Sequence, residues 1–380
     1  MLLAIHEKWQ NDRQSLLSST ESVIAALKRS EPKPADTGAR LIDTALMQFS
    51  QSYDSIYGGF GRAPKFPAAH TLIFLMTCYE KRGDENALRM AENTLTQMYR
   101  GGLFDHIGFG FCRYSTDRYF LAPHFEKMLY DNALLMQAYC VAYQITKKPF
   151  YKSTAEKIAA YAVKEMTSAD GAFFSAQDAD SEGEEGKFYV FTPDEIISVL
   201  GKVNGEAFNR HYDVSAHGNF TGGKSIPNLR QNASLADAFP LLLPKLYAYR
   251  RTRYSLHIDD KILTAWNSLM IAALCALYRI SGTPAYLHAA IKAHAFIEKA
   301  LCENDVLYVS YREGKRAGQG FLDDYAAYIF ALLALYGATF SQSYLARANT
   351  LAKKAVHAFF DPENGGFYLY GTRHEALILR

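Results

Sequence analysis

"ILTAWNSLMIAALCALYRI", residues 262–280, carries a single charged side chain, Arg279, and as a helix is apolar on nearly every face. Such a helix has to be covered from all sides, whereas a helix with one apolar stripe keeps a face in water. The stretch that follows, 284–302, is of the second type. The chain repeats this alternation four times: 68–82 with 84–99, 125–146 with 150–166, 262–280 with 284–302, and 321–340 with 343–360. In 150–166 the stripe is Tyr151, Ala155, Ile158, Ala162, Val163 and Met166. Buried helices alternating with striped ones predict an inner ring wrapped by an outer ring, built from helical hairpins.

Short breaks such as "KRGDE", "TKKP", "SGTP" and "TFSQS" punctuate the hairpins. Longer Gly-rich, aromatic segments lead into the buried helices: "YGGFGRAPKFP" (57–67), "GGLFDHIGFGFCRYSTD" (101–117), "GAFFSAQDADSEGEEGKFYVFTP" (171–193), "DVLYVSYREG" (305–314) and "GGFYLYGTRHEALIL" (365–379). Several alternate as short strands do. The fold class expected is therefore all-α: an α/α barrel with short β-hairpins gathered on one face. Residues 37–52 read as an outer helix without its inner partner, and four pairs do not close a ring of six, so closing hairpins are expected to be missing. The domain reading is a leading helix at 1–30, a linker at 31–38 within "SEPKPADTG", and a barrel domain over 39–380, truncated at its C-terminus.

Composition narrows the function classes. A hydrophobic content of 49% with 21% charged residues describes a globular chain with a sizeable core. A net charge of +2 gives no electrostatic case for nucleic acid or acidic membranes. Residues 325–346 lack charge, but Gly337, Thr339, Ser341, Gln342 and Ser343 interrupt the run, which favours a buried helix over a membrane span. Five scattered cysteines at 78, 112, 140, 275 and 302 fit a reducing cytoplasm better than a disulfide framework.

Polar residues cluster at the openings of the buried helices. Pro123 suits a first helical position, which would set His124 and Glu126 in the opening turn, with His124, Met128 and Asp131 on one face. "HIDDKILTAWN" offers Asp259, Asp260, Lys261, Trp266 and Asn267, and "GFLDDYA" offers Asp323, Asp324 and Tyr325. An acidic residue at a helix start is ordinarily a cap. Parallel buried helices would nevertheless aim three such clusters at one cavity. In "AQDADSEGEEGKFYV" the acids fall on calcium-loop spacing, but Tyr189 stands where the bidentate Glu is needed, so an acidic lid is expected instead. Zinc, P-loop and nucleophile-elbow motifs are lacking, so no metal and no cofactor is expected. What remains is acid–base chemistry, with His106 and His124 as the leading histidines.

The segments "GGFGRAPKFP", "GGLFDHIGFGFCRYSTDRYFLAPHFEKMLYDNALL", "SAQDADSEGEEGKFYVFTP", "DDKILTAWNSLMIAAL" and "GFLDDYA", in this order, resemble the thioredoxin-domain-containing proteins that include the spermatogenesis-associated members of animals. The resemblance covers nearly the whole chain. It implies a six-hairpin barrel similar to glycosidases and sugar 2-epimerases, with 1–30 the remnant of an absent N-terminal thioredoxin-like domain. It implies that the polar residues of the matched motifs form the site. His106, His124, Glu126, Asp260 and Asp324 are then the catalytic candidates. Arg62, Lys65, Arg113, Asp131, Asp178, Asp180, Glu182, Asp259, Trp266, Asn267, Asp323 and Tyr325 are the substrate-binding candidates.

Two functional classes are open at this point. One is a carbohydrate-active enzyme with a small-molecule ligand: an epimerase or isomerase using His106 and His124, or a hydrolase using two carboxylates such as Glu126 with Asp260 or Asp324. The other is a non-catalytic module that binds a ligand or serves a thioredoxin-like partner domain. Neither involves nucleic acid or membrane.

Overall fold

Residues 1–29, 40–232, 234–235, 238–372 and 374–375 are described by a computed structural model. Among them fourteen α-helices carry the chain. In order they are α1 (Leu2–Asn11), α2 (Arg13–Arg29), α3 (Leu41–Ser52), α4 (Ala69–Arg82), α5 (Glu85–Arg100), α6 (Leu129–Thr146) and α7 (Pro149–Glu165). There follow α8 (Pro193–Leu200), α9 (Lys202–His211), α10 (Leu243–Arg253), α11 (Thr264–Ser281), α12 (Pro284–Phe296), α13 (Leu322–Thr339) and α14 (Gln342–Phe359).

The two helix types sort as their sequences require. The inner helix α6 buries Leu129, Ala133, Leu135, Met136, Ala138, Tyr139 and Cys140 and half-buries the remaining face at Tyr130, Leu134, Gln137 and Val141. The outer helix α5 buries Ala87, Leu88, Ala91, Thr94, Leu95 and Met98, one face at helical spacing. The inner helices α4, α6, α11 and α13 stand side by side in that order, and each packs on its own outer partner, α5, α7, α12 or α14. Leu72, Leu75, Leu135, Leu274 and Leu332 are fully covered in this double wall. Each contributes roughly 1.5–3 kcal/mol by leaving water.

A recurring turn follows the outer helices α3, α5 and α14. Asp54, Asp105 and Asp361 each donate their backbone N–H to a glycine carbonyl five residues on (Gly59, Gly110, Gly366) at 3.0–3.1 Å. Each also accepts two backbone N–H groups of the turn on Oδ1. Antiparallel bridges Tyr53–Phe60, Phe104–Phe111 and Phe360–Phe367 close the three turns. Gly110 has a left-handed φ of 76°, and a Cβ there would lie 2.5 Å from the Tyr161 ring, so only glycine fits.

Short ladders tie the hairpins together on one face. Lys127–Met128 pairs with Ala176–Gln177, which pairs in turn with Ile258–Asp259. Ile262–Leu263 pairs with Ser310–Tyr311, and Pro123–His124 with Tyr114–Ser115. Among the described residues only Val306–Arg312 with Lys315–Gln319 forms an extended hairpin.

Several expectations are corrected. The helix expected from 125 begins at Leu129, because the residues before it are drawn into these ladders; His124 and Glu126 therefore precede the helix and lie outside its first turn. The leading helix expected over 1–30 is interrupted at Asp12, whose φ of −149° and ψ of 55° are not helical, and becomes α1 and α2. The helices α8, α9 and α10 were not anticipated, although Thr192 and Glu195 form a reciprocal cap at the start of α8 with Pro193 in the first position. The linker at 31–38 lies outside the described residues. Among the described residues no helix is long and apolar enough to cross a membrane.

Candidate functional site

The amino ends of the inner helices α6, α11 and α13 meet. The Tyr130 and Trp266 rings, on the opening turns of α6 and α11, lie 4.8 Å apart edge to face. The backbone N–H of Ala265 donates to Asp324 Oδ1 at 3.2 Å, tying α11 to α13 at the same level. The side-by-side arrangement of buried helices thus presents one polar rim.

The richest part of that rim surrounds α6. His124 has Nδ1 2.6 Å from Glu185 Oε1 and Nε2 3.7 Å from Glu126 Oε2, and its ring stacks on Tyr114. Arg113 donates to Glu126 Oε2 at 3.1 Å and to the Tyr130 hydroxyl. Tyr130 in turn is hydrogen-bonded to Asp131. Burial pushes the Asp131 carboxyl up to about 7, against the hydrogen bond from Tyr130 and the charge of Arg113. Its Oδ2 is buried and has no partner among the described residues. A half-buried acid with one buried, unsatisfied oxygen, poised to hold a proton near neutrality, is the chemical focus of this rim.

The acidic loop reaches the rim, but by a residue outside the set expected. Residues 180–185 form a small hairpin, and its last residue, Glu185, holds His124 and accepts the Phe125 N–H at 3.3 Å. Gly186 permits this contact: with φ 76°, a Cβ there would stand 2.4 Å from the Phe125 ring. Asp180 and Glu182 face solvent, Glu182 pairing with Lys187 at 2.8 Å, while Asp178 accepts the Asp180 N–H.

Other candidates are placed apart. Lys65 is interior, its ammonium 2.8 Å from Asp54 and 2.7 Å from the Gly58 carbonyl, so it does not face a ligand. Asn267 is fully buried: it accepts the Phe173 N–H at 2.7 Å and donates to the Phe173 and Leu263 carbonyls. Tyr325 is also interior, its hydroxyl accepting the Leu307 N–H at 3.2 Å. Asp260 pairs with Arg312 at 2.6 Å and Asp259 with Lys261 at 3.0 Å. Asp324 accepts the N–H groups of Phe321 and Ala265, and burial raises its carboxyl to about 7. It acts as a cap and an interhelical tie. Asp323 and Arg62 are exposed.

His106 stands apart from His124. It is buried among Tyr99, Phe104 and Tyr212, with Nε2 3.2 Å from the Gly101 carbonyl. Burial and the nearby Lys157 charge lower it to about 3, so the ring is neutral. Among the described residues the ring and hydrogen-bond neighbours of His106 differ from those of His124, and these contacts do not bring the two histidines together as an epimerase pair. Tyr114, Tyr130 and Glu185 were missed from sequence. Tyr130 could have been found from its place beside Asp131 in "YDN".

No group of three or more His, Cys, Asp or Glu side chains among the described residues is disposed to hold a metal ion. The five cysteines are free, and Cys78, Cys112, Cys140 and Cys275 are buried.

No family model matches the chain. It is 31% identical to spermatogenesis-associated protein 20 of Homo sapiens over 424 aligned positions, covering 97% of this chain and 54% of that one. The chain thus spans about half the length of the curated relatives it matches. Among solved structures, a GH76 α-mannanase of Bacteroides thetaiotaomicron superposes with a TM-score of 0.52 at 14% identity, over 86% of this chain and 70% of that one. An α-1,6-mannanase of Salegentibacter, as an inactive variant with two successive aspartates replaced by alanine and in complex with α-1,6-mannotetrose, gives 0.50 at 13% identity, over 80% and 68%. The fold of this chain is the glycosidase-like α/α toroid, and in sequence it is similar to spermatogenesis-associated protein 20.

Proposed function

We propose that the rim around α6 binds a carbohydrate and cleaves it by acid–base chemistry of the glycoside-hydrolase type. Asp131 donates the proton to the leaving oxygen, and Glu126, ion-paired to Arg113, is the second carboxylate. His124, set by Glu185, orients a hydroxyl of the substrate, and the Trp266–Tyr130 pair offers an apolar face to a sugar ring. The observation that carries the reading is the buried, unpartnered Oδ2 of Asp131, on an acid lifted to about 7.

Supporting evidence comes from the fold shared with mannanases, which on its own is analogy. The Salegentibacter enzyme is inactive when two successive aspartates are replaced. This chain has successive aspartates at 259–260 and 323–324, but Asp259, Asp260 and Asp324 already have the partners given above. Asp131 combines an unpartnered buried oxygen with a raised proton affinity on the rim beside Arg113 and Glu126, and it is therefore assigned the proton.

The test is hydrolysis of a panel of oligosaccharides, α-mannosides included, by the wild type and by Asp131→Asn. Loss of general-acid catalysis should slow turnover by about 10²–10⁴-fold. The loss should be smaller on nitrophenyl glycosides, whose leaving group needs no proton. Wild-type rates in Asp131→Asn on unactivated substrates would remove the assignment. Saccharide binding without turnover on any substrate would favour the second reading, a binding module serving a thioredoxin-like domain. That reading is supported by the family resemblance and by the relatives' greater length.

A further inference from the structure

A cavity of about 710 Å³ lies away from the rim, between the hairpin of residues 104–109, α7 and α10. Its apolar walls include Phe104, Phe109, Tyr212, Leu243 and Tyr247, with the neutral ring of His106 among them. Its volume lies in the range that encloses a small organic molecule. The charged residues lining it are all cationic: Lys157, Lys164 and Arg251, with no carboxylate among the described lining residues. Lys164 stands over the Tyr247 ring, its Nζ 3.3 Å from the centroid, and Arg251 faces the same ring from α10 at 5.9 Å. Tyr247 also donates its hydroxyl to Glu165, whose charge acts on Lys164 from outside the cavity, since Glu165 is not among the lining residues.

An apolar chamber with cations from two helices at its mouth is complementary to one kind of molecule. We propose that this cavity binds an amphipathic monoanion: a hydrocarbon or aromatic body among the rings, and a carboxylate, sulfonate or phosphate head between Lys164 and Arg251. The site is independent of the carbohydrate reading, since it shares no residue with the rim.

The test uses the full chain and two fluorescent probes of similar body, anionic 1-anilinonaphthalene-8-sulfonate and uncharged N-phenyl-1-naphthylamine. Ala160 lines the cavity and is exposed on α7, so Ala160→Trp fills the space without disturbing the core. It should weaken both probes by about tenfold or more. The pair Lys164→Gln and Arg251→Gln should weaken the sulfonate by about tenfold while leaving the neutral probe within about twofold. Displacement of the sulfonate by dodecanoate identifies an alkyl-chain ligand, and displacement by 1-naphthoate an aromatic one. Unchanged sulfonate binding in Ala160→Trp, equal losses of both probes in the double variant, or displacement by neither carboxylate would overturn the proposal.

Discussion

Lys65 and Lys127 occupy the same place in two successive hairpins. Each ammonium lies 2.8 Å from the aspartate that organises its turn, Asp54 or Asp105, and 2.7 Å from a backbone carbonyl, of Gly58 or Phe109. Each aspartate is then gripped through both oxygens by an arginine distant in sequence, Arg118 or Arg250. Burial alone would push these carboxyls up. The paired cations outweigh it and hold both well below the ordinary range. The units differ in depth, since the Arg118 side chain is 53% exposed and that of Arg250 only 3%.

That difference sets the cost of breaking them. Asp105→Asn leaves Lys127 and Arg250 buried without a counter-charge and should cost about 3–5 kcal/mol. Asp54→Asn strands only Lys65, because Arg118 can turn into water, and should cost less. Urea unfolding of both variants measures the difference, and equal losses would contradict the account. The sign with pH follows from the depressed values. The stability these two aspartates give is complete above the unfolded carboxylate range near 3.9 and is lost as pH falls below it.

Asp131 and Asp324 act in the opposite direction. Their folded values near 7 exceed the unfolded value, so the native state binds more protons between pH about 4 and about 7. Stability should therefore fall as pH rises through that window and level off above it. Asp131→Asn should flatten part of the slope and raise Tm at pH ~8 relative to wild type. Thermal melts at pH ~5 and ~8 test this, and an unchanged slope would show that Asp131 is not held protonated.

Asn132 on α6 and Asn267 on α11 make the same three hydrogen bonds. Each accepts the N–H of a hairpin phenylalanine, Phe111 or Phe173, and donates to that residue's carbonyl and to the carbonyl four residues before itself. Replacing either with alanine leaves buried backbone groups unmatched and should cost about 2–4 kcal/mol. Aspartate keeps the acceptor but loses both donors, so it should not restore stability. Chemical denaturation of the four variants provides the measurement.

The contact between His124 and Glu185 predicts a split in kinetic effect. Glu185→Gln should raise KM for a saccharide substrate several-fold while leaving kcat within about threefold, because it orients the imidazole and does not act on the glycosidic bond. A loss confined to kcat would place Glu185 in the chemistry instead.

What the sequence determined by itself is the alternation of fully apolar and striped helices, and with it the double-walled barrel. Apolar coverage is a local property: 262–280 has no face to leave in water, whatever surrounds it. The gathering of polar residues at the helix openings was legible for the same reason. Which of those residues serve a site, and which serve the backbone, was decided only by tertiary structure. Lys65, Asn267 and Asp324 read as site residues because a side chain's chemistry says what it can bond, while its partner is set by segments far along the chain. His124 could not be placed ahead of its helix from Pro123, because the ladders that draw that segment out of helix come from 114–115 and 176–177. That one oxygen of Asp131 is buried without a partner emerged only from the packing of the rim around it.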